Sequence, residues 1–400
     1  MPLAIKPCFR PAEDNGMPRK NTIFTSSLIL SILLLCLIDI RCTVEPEIPS
    51  LGYAKTYNED SFLRAGRILE MDDGGYYIFG HSNSNLSLLK TNSEGSVLWK
   101  KVYTAGDSIY FQDMDQTSDG GYILLGDIWW NRVSAFLCRI NGNGDVLWKK
   151  EIIRTAGLDP EAVCQVNDSL FFIVGDNDSY GTYLRALILE IKDPGHVIRE
   201  KEFTKYTKLK DIIKTINNGF IAISRVPRLL KIDSDKNIIW EKFVDTGEWN
   251  EVVCFKQTID GGYIIGTYVP LSEGVGLKYW AWIIKTDSQG NLQWVSKKVG
   301  TKPEEVYQTK DGGYIIVGTT GYSIWKNHSE DAWLIKLDSQ GNTVWERTFG
   351  DDQRSDFGYA VSELRDGGFV MAGESYSGRE SELPFYWLIK TDANGNTVWK

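Results

Sequence analysis

Histidine is scarce in this 400-residue chain: His81, His196 and His328 are all there are. That leaves too few candidates for a histidine-based nucleophilic triad or a three-histidine metal site. Cysteine is equally uninformative, since the six are never spaced CxxC, and Cys138, Cys164 and Cys254 each sit inside an apolar strand pattern. They read as small buried hydrophobes, and no disulfide framework is indicated. A basic stripe is missing too. With 44 Lys and Arg against 53 Asp and Glu, the net charge is −9, which opposes attraction to a phosphate backbone and argues against nucleic acid as a partner. Proline is sparse at 12, whereas glycine reaches 38, the balance of a turn-rich globular chain.

The first forty residues differ from the rest. Ile23 to Ile38 is an apolar run preceded by Arg19 and Lys20 and closed by Asp39, Arg41 and Cys42, the layout of a secretion signal. Translation can start at Met1 or at Met17, just before the basic pair. The segment ending at Cys42 resembles a bacterial lipoprotein cleavage box, although Arg41 and Asp39 stand where such boxes carry a small and an aliphatic residue. Three outcomes stay open: lipid on Cys42, cleavage of an ordinary signal, or an uncleaved membrane anchor. The expected organisation is an N-terminal extension and signal over 1–41, a linker over 42–50, and one folded domain over 51–400, exported to the cell envelope and monomeric.

Beyond residue 51 the sequence repeats. A template at the end of the chain runs Asp311-Gly-Gly-Tyr-Ile-Ile-Val-Gly318, then Ala332-Trp-Leu-Ile-Lys-Leu-Asp338, then Gly341-Asn-Thr-Val-Trp345. Its closing tryptophan recurs as Trp99, Trp148, Trp240, Trp294, Trp345 and Trp399, with Arg199 in the matching place of one degenerate copy. The spacing averages about 50 residues, the size of a propeller blade. Each repeat divides into four strands: an apolar first strand ending at a pair such as Asp311-Gly312, which favours a two-residue hairpin turn, a second strand, a third apolar on both faces, and a fourth carrying the tryptophan. The Asp338-x-x-Gly341-Asn342 segment looks like part of a calcium loop. A strand follows where such a loop needs its bidentate glutamate, so a hairpin turn explains it and no metal is expected.

The Asp-x-x-Gly-x-x-x-Trp ending resembles the tryptophan-docking repeat of quinoprotein-type propellers, and the whole pattern is similar to exported bacterial propeller proteins. The resemblance implies a seven-bladed, all-β propeller of four-stranded antiparallel blades, with each tryptophan wedged between neighbours. It implies no particular function, because such rings host enzymes, scaffolds and binders alike. A quinone cofactor would need dedicated channel ligands that nothing in the sequence matches, and no cofactor is expected.

In such a ring the segments joining strand two to three and strand four to one share a face. On that face Thr267–Tyr279, Thr319–Asp331 and Glu374–Phe385 are long, while Arg225–Arg228 is short. Blades five to seven are therefore the expected binding side. Their candidates are Tyr268, Tyr279, Tyr322, Trp325, Tyr376, Phe385, Glu330 and Glu374, joined from an earlier blade by Trp129 and Trp130. Aromatic faces stack on the C–H patches of sugars while carboxylates accept hydroxyl hydrogen bonds, so a glycan or an envelope protein is the expected partner, with the membrane reached through the N-terminal anchor. A scaffold within an envelope complex is the alternative; a quinoprotein-like or hydrolytic enzyme is a second, although no catalytic pair stands out. Finally, Tyr53-Ala-Lys-Thr-Tyr57 aligns with Trp345-Glu-Arg-Thr-Phe349, and the chain ends at Lys400 before its last fourth strand is complete. An N-terminal strand is expected to close the ring.

Overall fold

The computed structural model describes residues 54–57, 64–128, 134–155, 157–177, 185–217, 219–272, 277–321, 330–350, 354–376 and 384–399. These form a seven-bladed propeller of four-stranded antiparallel sheets, with no helix among the described residues. Blade six shows why. Its strands are Thr301–Gln308, Tyr314–Thr320, Asp331–Leu337 and Thr343–Phe349. The second and third bury side chains on both faces, Trp333 completely, because each is covered by the sheets on either side.

The hinge between the first two strands is a three-residue loop rather than the expected two-residue turn. The Thr309 N–H donates to the Gly313 carbonyl at 2.9 Å, and Gly312 N–H returns to the Thr309 carbonyl at 2.9 Å. Gly312 has φ 82°, the left-handed residue that ends a turn of this length. Asp311 holds the loop through one oxygen, which accepts from the Gly313 N–H at 2.9 Å, the Thr309 hydroxyl at 2.6 Å and the Lys336 ammonium at 2.9 Å. Although burial pushes its carboxyl upward, these donors hold it down at about 2. The lysine lies within the neighbouring third strand and is itself buried. Equivalent pairs are Lys90–Asp73 at 2.7 Å, Arg139–Asp119 at 2.6 Å, Lys285–Asp260 at 2.8 Å and Lys390–Asp366 at 3.4 Å. The Asp-Gly-Gly turn and the cation of the third strand are therefore one device, repeated round the ring.

The tryptophans dock between blades, as the resemblance implies. Trp294 of blade five packs edge-on to Tyr314 of blade six at 5.4 Å and donates its indole N–H to the Ser339 carbonyl at 3.2 Å. Trp345 of blade six treats Phe369 and Ala393 of blade seven alike, at 5.8 Å and 3.0 Å. The turn glycine of the receiving blade makes room: a Cβ on Gly341, at φ 83°, would lie 2.6 Å from the Trp294 ring. Asp338 spends both oxygens on that same turn, accepting from the N–H of Gln340 and Asn342 and from the Asn342 side chain.

Closure follows the expected register. Lys55–Tyr57 pairs antiparallel with Phe385–Thr391, placing Tyr57 opposite Tyr386 where blade six has Phe349 opposite Ala332. Thr397 bridges Thr391 from the other chain end, so the fourth strand of blade seven is assembled from both termini. The seam then repeats the ordinary junction. Trp399 packs edge-on to Tyr76 of blade one at 6.0 Å, and the Tyr57 hydroxyl donates to the Gly95 carbonyl as Tyr103 does to Gly144. On the inner side Arg365 N–H donates to Glu70 at 2.8 Å, matching Lys310 N–H to Glu363 at 2.9 Å. The three cysteines Cys138, Cys164 and Cys254 are buried and unbridged, and burial pushes the Cys138 thiol up to about 12.

Candidate functional site: the loop face and the channel beneath it

The first strands line the channel, and they are not apolar. Every one of the seven carries a β-bulge near the loop face, at Gly66, Gln112, Glu161, Lys210, Val253, Glu304 and Tyr359. An extra residue breaks the alternation and re-aims the strand, so the bulge residue borders a cavity of about 410 Å³ in every blade, and its successor does so in all but blade seven. The charged pairs Lys210-Asp211 and Glu304-Glu305 occupy these positions, and so do Arg67 and Asp113. A signal for them exists in the sequence: they stand seven and six residues ahead of the turn Asp or Asn of each repeat. Reading the first strand as apolar hid it.

Within the channel Arg67 reaches across to two other blades, at 2.5 Å from Glu305 and 3.2 Å from Asp113. Burial opposes its charge, but Glu305, Tyr307 and Asp113 raise its pKa well above the usual value. The carboxylates also stitch blades together through backbone amides. Asp113 accepts from Val163 N–H at 3.0 Å, Asp115 from Gln165 at 2.8 Å, and Glu305 from Val361 at 2.9 Å. Asp211 accepts from its neighbour Ile212 at 2.7 Å; burial raises its carboxyl to about 6, against the pull of Lys256. His81, at the channel wall, accepts from the Phe111 N–H at 3.3 Å. Burial and the nearby Arg64 drop its pKa to about 4, so it is neutral near pH 7.

The rim combines tyrosines with charge. The blade-five segment expected as a loop is an extended hairpin, Tyr263–Ser272 against Leu277–Thr286. It brings Tyr268 and Tyr279 edge to face at 5.2 Å. Tyr268 also hydrogen-bonds Glu251, which pairs with Arg225 at 2.9 Å, and the Lys302 ammonium lies 5.8 Å from the Tyr268 ring. On blade seven the Tyr359 hydroxyl donates to Glu374, and the Arg64 guanidinium covers the Tyr359 ring at 4.6 Å. Arg64, Tyr359, Glu251 and Lys302 were not among the sequence candidates; they come from first strands.

The other candidates fall elsewhere. Tyr376 is 47% exposed at the end of its strand, whereas Phe385 is 3% exposed within the core shared by blades six and seven, its ring covered by Arg354 at 4.9 Å. Glu330 is half-buried, its carbonyl accepting from Asp356 N–H at 2.6 Å, and burial raises its carboxyl. Trp129, Trp130, Tyr322, Trp325 and the lipidation candidate Cys42 lie outside the described residues.

No protein-family model matches the sequence, and no curated protein does. Solved structures match throughout the ring. The WD40 domain of Neurospora crassa Pan2 is 11% identical, with 88% of this chain and 99% of that one covered at a TM-score of 0.53. A quinohemoprotein alcohol dehydrogenase from Pseudomonas putida is 11% identical over 82% of this chain and 66% of its own, at 0.47. BamB from Moraxella catarrhalis is 12% identical over 84% and 98%, at 0.46. At these identities the likeness is one of fold.

Proposed function

We propose that this chain is a cell-envelope binding propeller that docks a glycan or a protein on its loop face, at the rim formed by blades five to seven. The supporting observation is the unlike chemistry of the two faces. On one, the Asp-Gly-Gly and Asp-x-x-Gly-Asn turns close on their own side chains, as Asp311 and Asp338 do. On the other, the blade-five hairpin raises Tyr268 and Tyr279 beside Glu251, Arg225 and Lys302, and on blade seven Tyr359 bonds Glu374 and is covered by Arg64. Aromatic faces flanked by charges of both signs suit a polar ligand with some flat apolar surface. Export rests on the apolar run Ile23–Ile38, and attachment on lipid at Cys42.

The experiment is capture. Full-length protein and a Tyr268→Ala/Tyr279→Ala variant are compared on a glycan array and in pull-downs from envelope extracts, with circular dichroism confirming that the ring is intact. Loss of a captured glycan or protein by the folded variant supports the reading. Equal capture by both overturns it.

A further inference from the structure

The channel below that rim carries a second site of different chemistry. Its charges sort into committed and uncommitted groups. Arg67 is committed to Glu305 and Asp113, Lys210 to Glu161 at 2.6 Å, and Glu304 to Lys302 at 2.6 Å. Lys256, from blade five, is different. Among the described residues its ammonium has no hydrogen bond or ion pair, only the Tyr307 ring 5.8 Å away. Asp211 of blade four lines the same cavity, and its ionisation feels the Lys256 charge although the two do not touch. One Asp211 oxygen accepts from the Ile212 amide, and among the described residues the other has no donor.

One cation and one carboxylate, from adjacent blades, thus line the same cavity without forming an ion pair. Their complement is a ligand with an anionic end and a cationic end. The cavity, about 410 Å³, is within the ~300–1,000 Å³ range of small-molecule sites. Its charged lining favours a polar occupant over an apolar one. We propose that the channel binds a small zwitterion of the α-amino acid or dipeptide class, with its carboxylate on Lys256 and its ammonium on Asp211. Rigid blades hold these two groups in place before the ligand arrives, which lowers the cost of binding.

Calorimetric titration of the full-length protein tests this with alanine, glutamate, lysine and glycylglycine, each alongside its N-acetylated and its carboxamide form. Saturable binding of at least one free zwitterion is expected, weakened at least tenfold by masking either end. Lys256→Met and Asp211→Asn should each weaken it at least tenfold, and two variants guard against one failing to fold. The Tyr268→Ala/Tyr279→Ala protein should bind the zwitterion normally, so this site and the rim reading stand or fall separately. Three results would overturn the proposal: no saturable heat up to about 10 mM ligand, equal binding of the masked forms, or undiminished binding by the folded channel variants.

Discussion

The tight-turn face and the loop face of this ring are built on opposite terms. On the first, Asp311 serves two amide or hydroxyl donors and a buried lysine at once, Asp338 serves its own turn, and Gly341 yields space to the tryptophan of the blade before. On the second, Tyr376 is exposed, and in the channel beneath it Lys256 has no ionic partner among the described residues. Residues that repeat from blade to blade hold the turn face together, whereas those that differ give the loop face its uneven chemistry.

The largest effect is expected at the seam, where turn-face contacts are assembled from both chain ends. Deleting residues 51–58 removes buried Tyr57 and its strand pairing, and should lower the melting temperature of the whole ring by about 10 °C. A scanning calorimetry trace with a single, shifted transition is the expected result; an unshifted one would separate the seam from the rest of that face. Next comes Gly341→Val, which meets both left-handed strain and the Trp294 ring and should cost about 3 kcal/mol in a denaturant titration.

Asp311→Ala should cost less, about 1–2 kcal/mol, since the carboxylate is largely solvated while Lys336 behind it is not. Its pH dependence has a fixed sign. Because the folded carboxyl sits near 2, below its unfolded value of about 3.9, its contribution is complete above pH 4 and fades as pH falls toward 2. Melting curves of the variant and parent should converge over that window. On the loop face, Tyr268→Ala/Tyr279→Ala should stay within about 1 kcal/mol of the parent while losing capture, which would be the sharpest separation of the two faces.

The smallest effect belongs to the channel. Asp211 is raised to about 6 when folded, so ionising it opposes folding from about pH 4 upward and reaches its full penalty above pH 6. Asp211→Asn should therefore melt slightly higher than the parent at pH 7.5, with the difference vanishing near pH 4. A variant that melts lower at pH 7.5 would show the carboxylate to be a net support.

The blades, the docking tryptophans and the closing strand were legible in the sequence because period, spacing and apolar runs report what must be buried. The register of Tyr57 could be read from five residues because a fourth strand has few ways to pair. The channel was not legible in the same reading. Its residues sit in bulges, which break the strand alternation that pattern reading relies on, and partners such as Arg67 and Glu305 are far apart in sequence. The rim was half legible. Tyr268 and Tyr279 could be named, but their hairpin extends what looked like a loop, and Phe385 packs inward because residues near a strand end can face either way.

The closing strand has a mechanical consequence. A load transmitted from the N-terminal side reaches Lys55–Tyr57 before any other described strand, and this strand has three paired residues among those described, while most others are seven or more residues long. Its partner, Phe385–Thr391, lies more than 300 residues away along the chain. Tension from that side would therefore act on the shortest of the described strands, and the first joint to yield would be its pairing with Phe385–Thr391 inside blade seven.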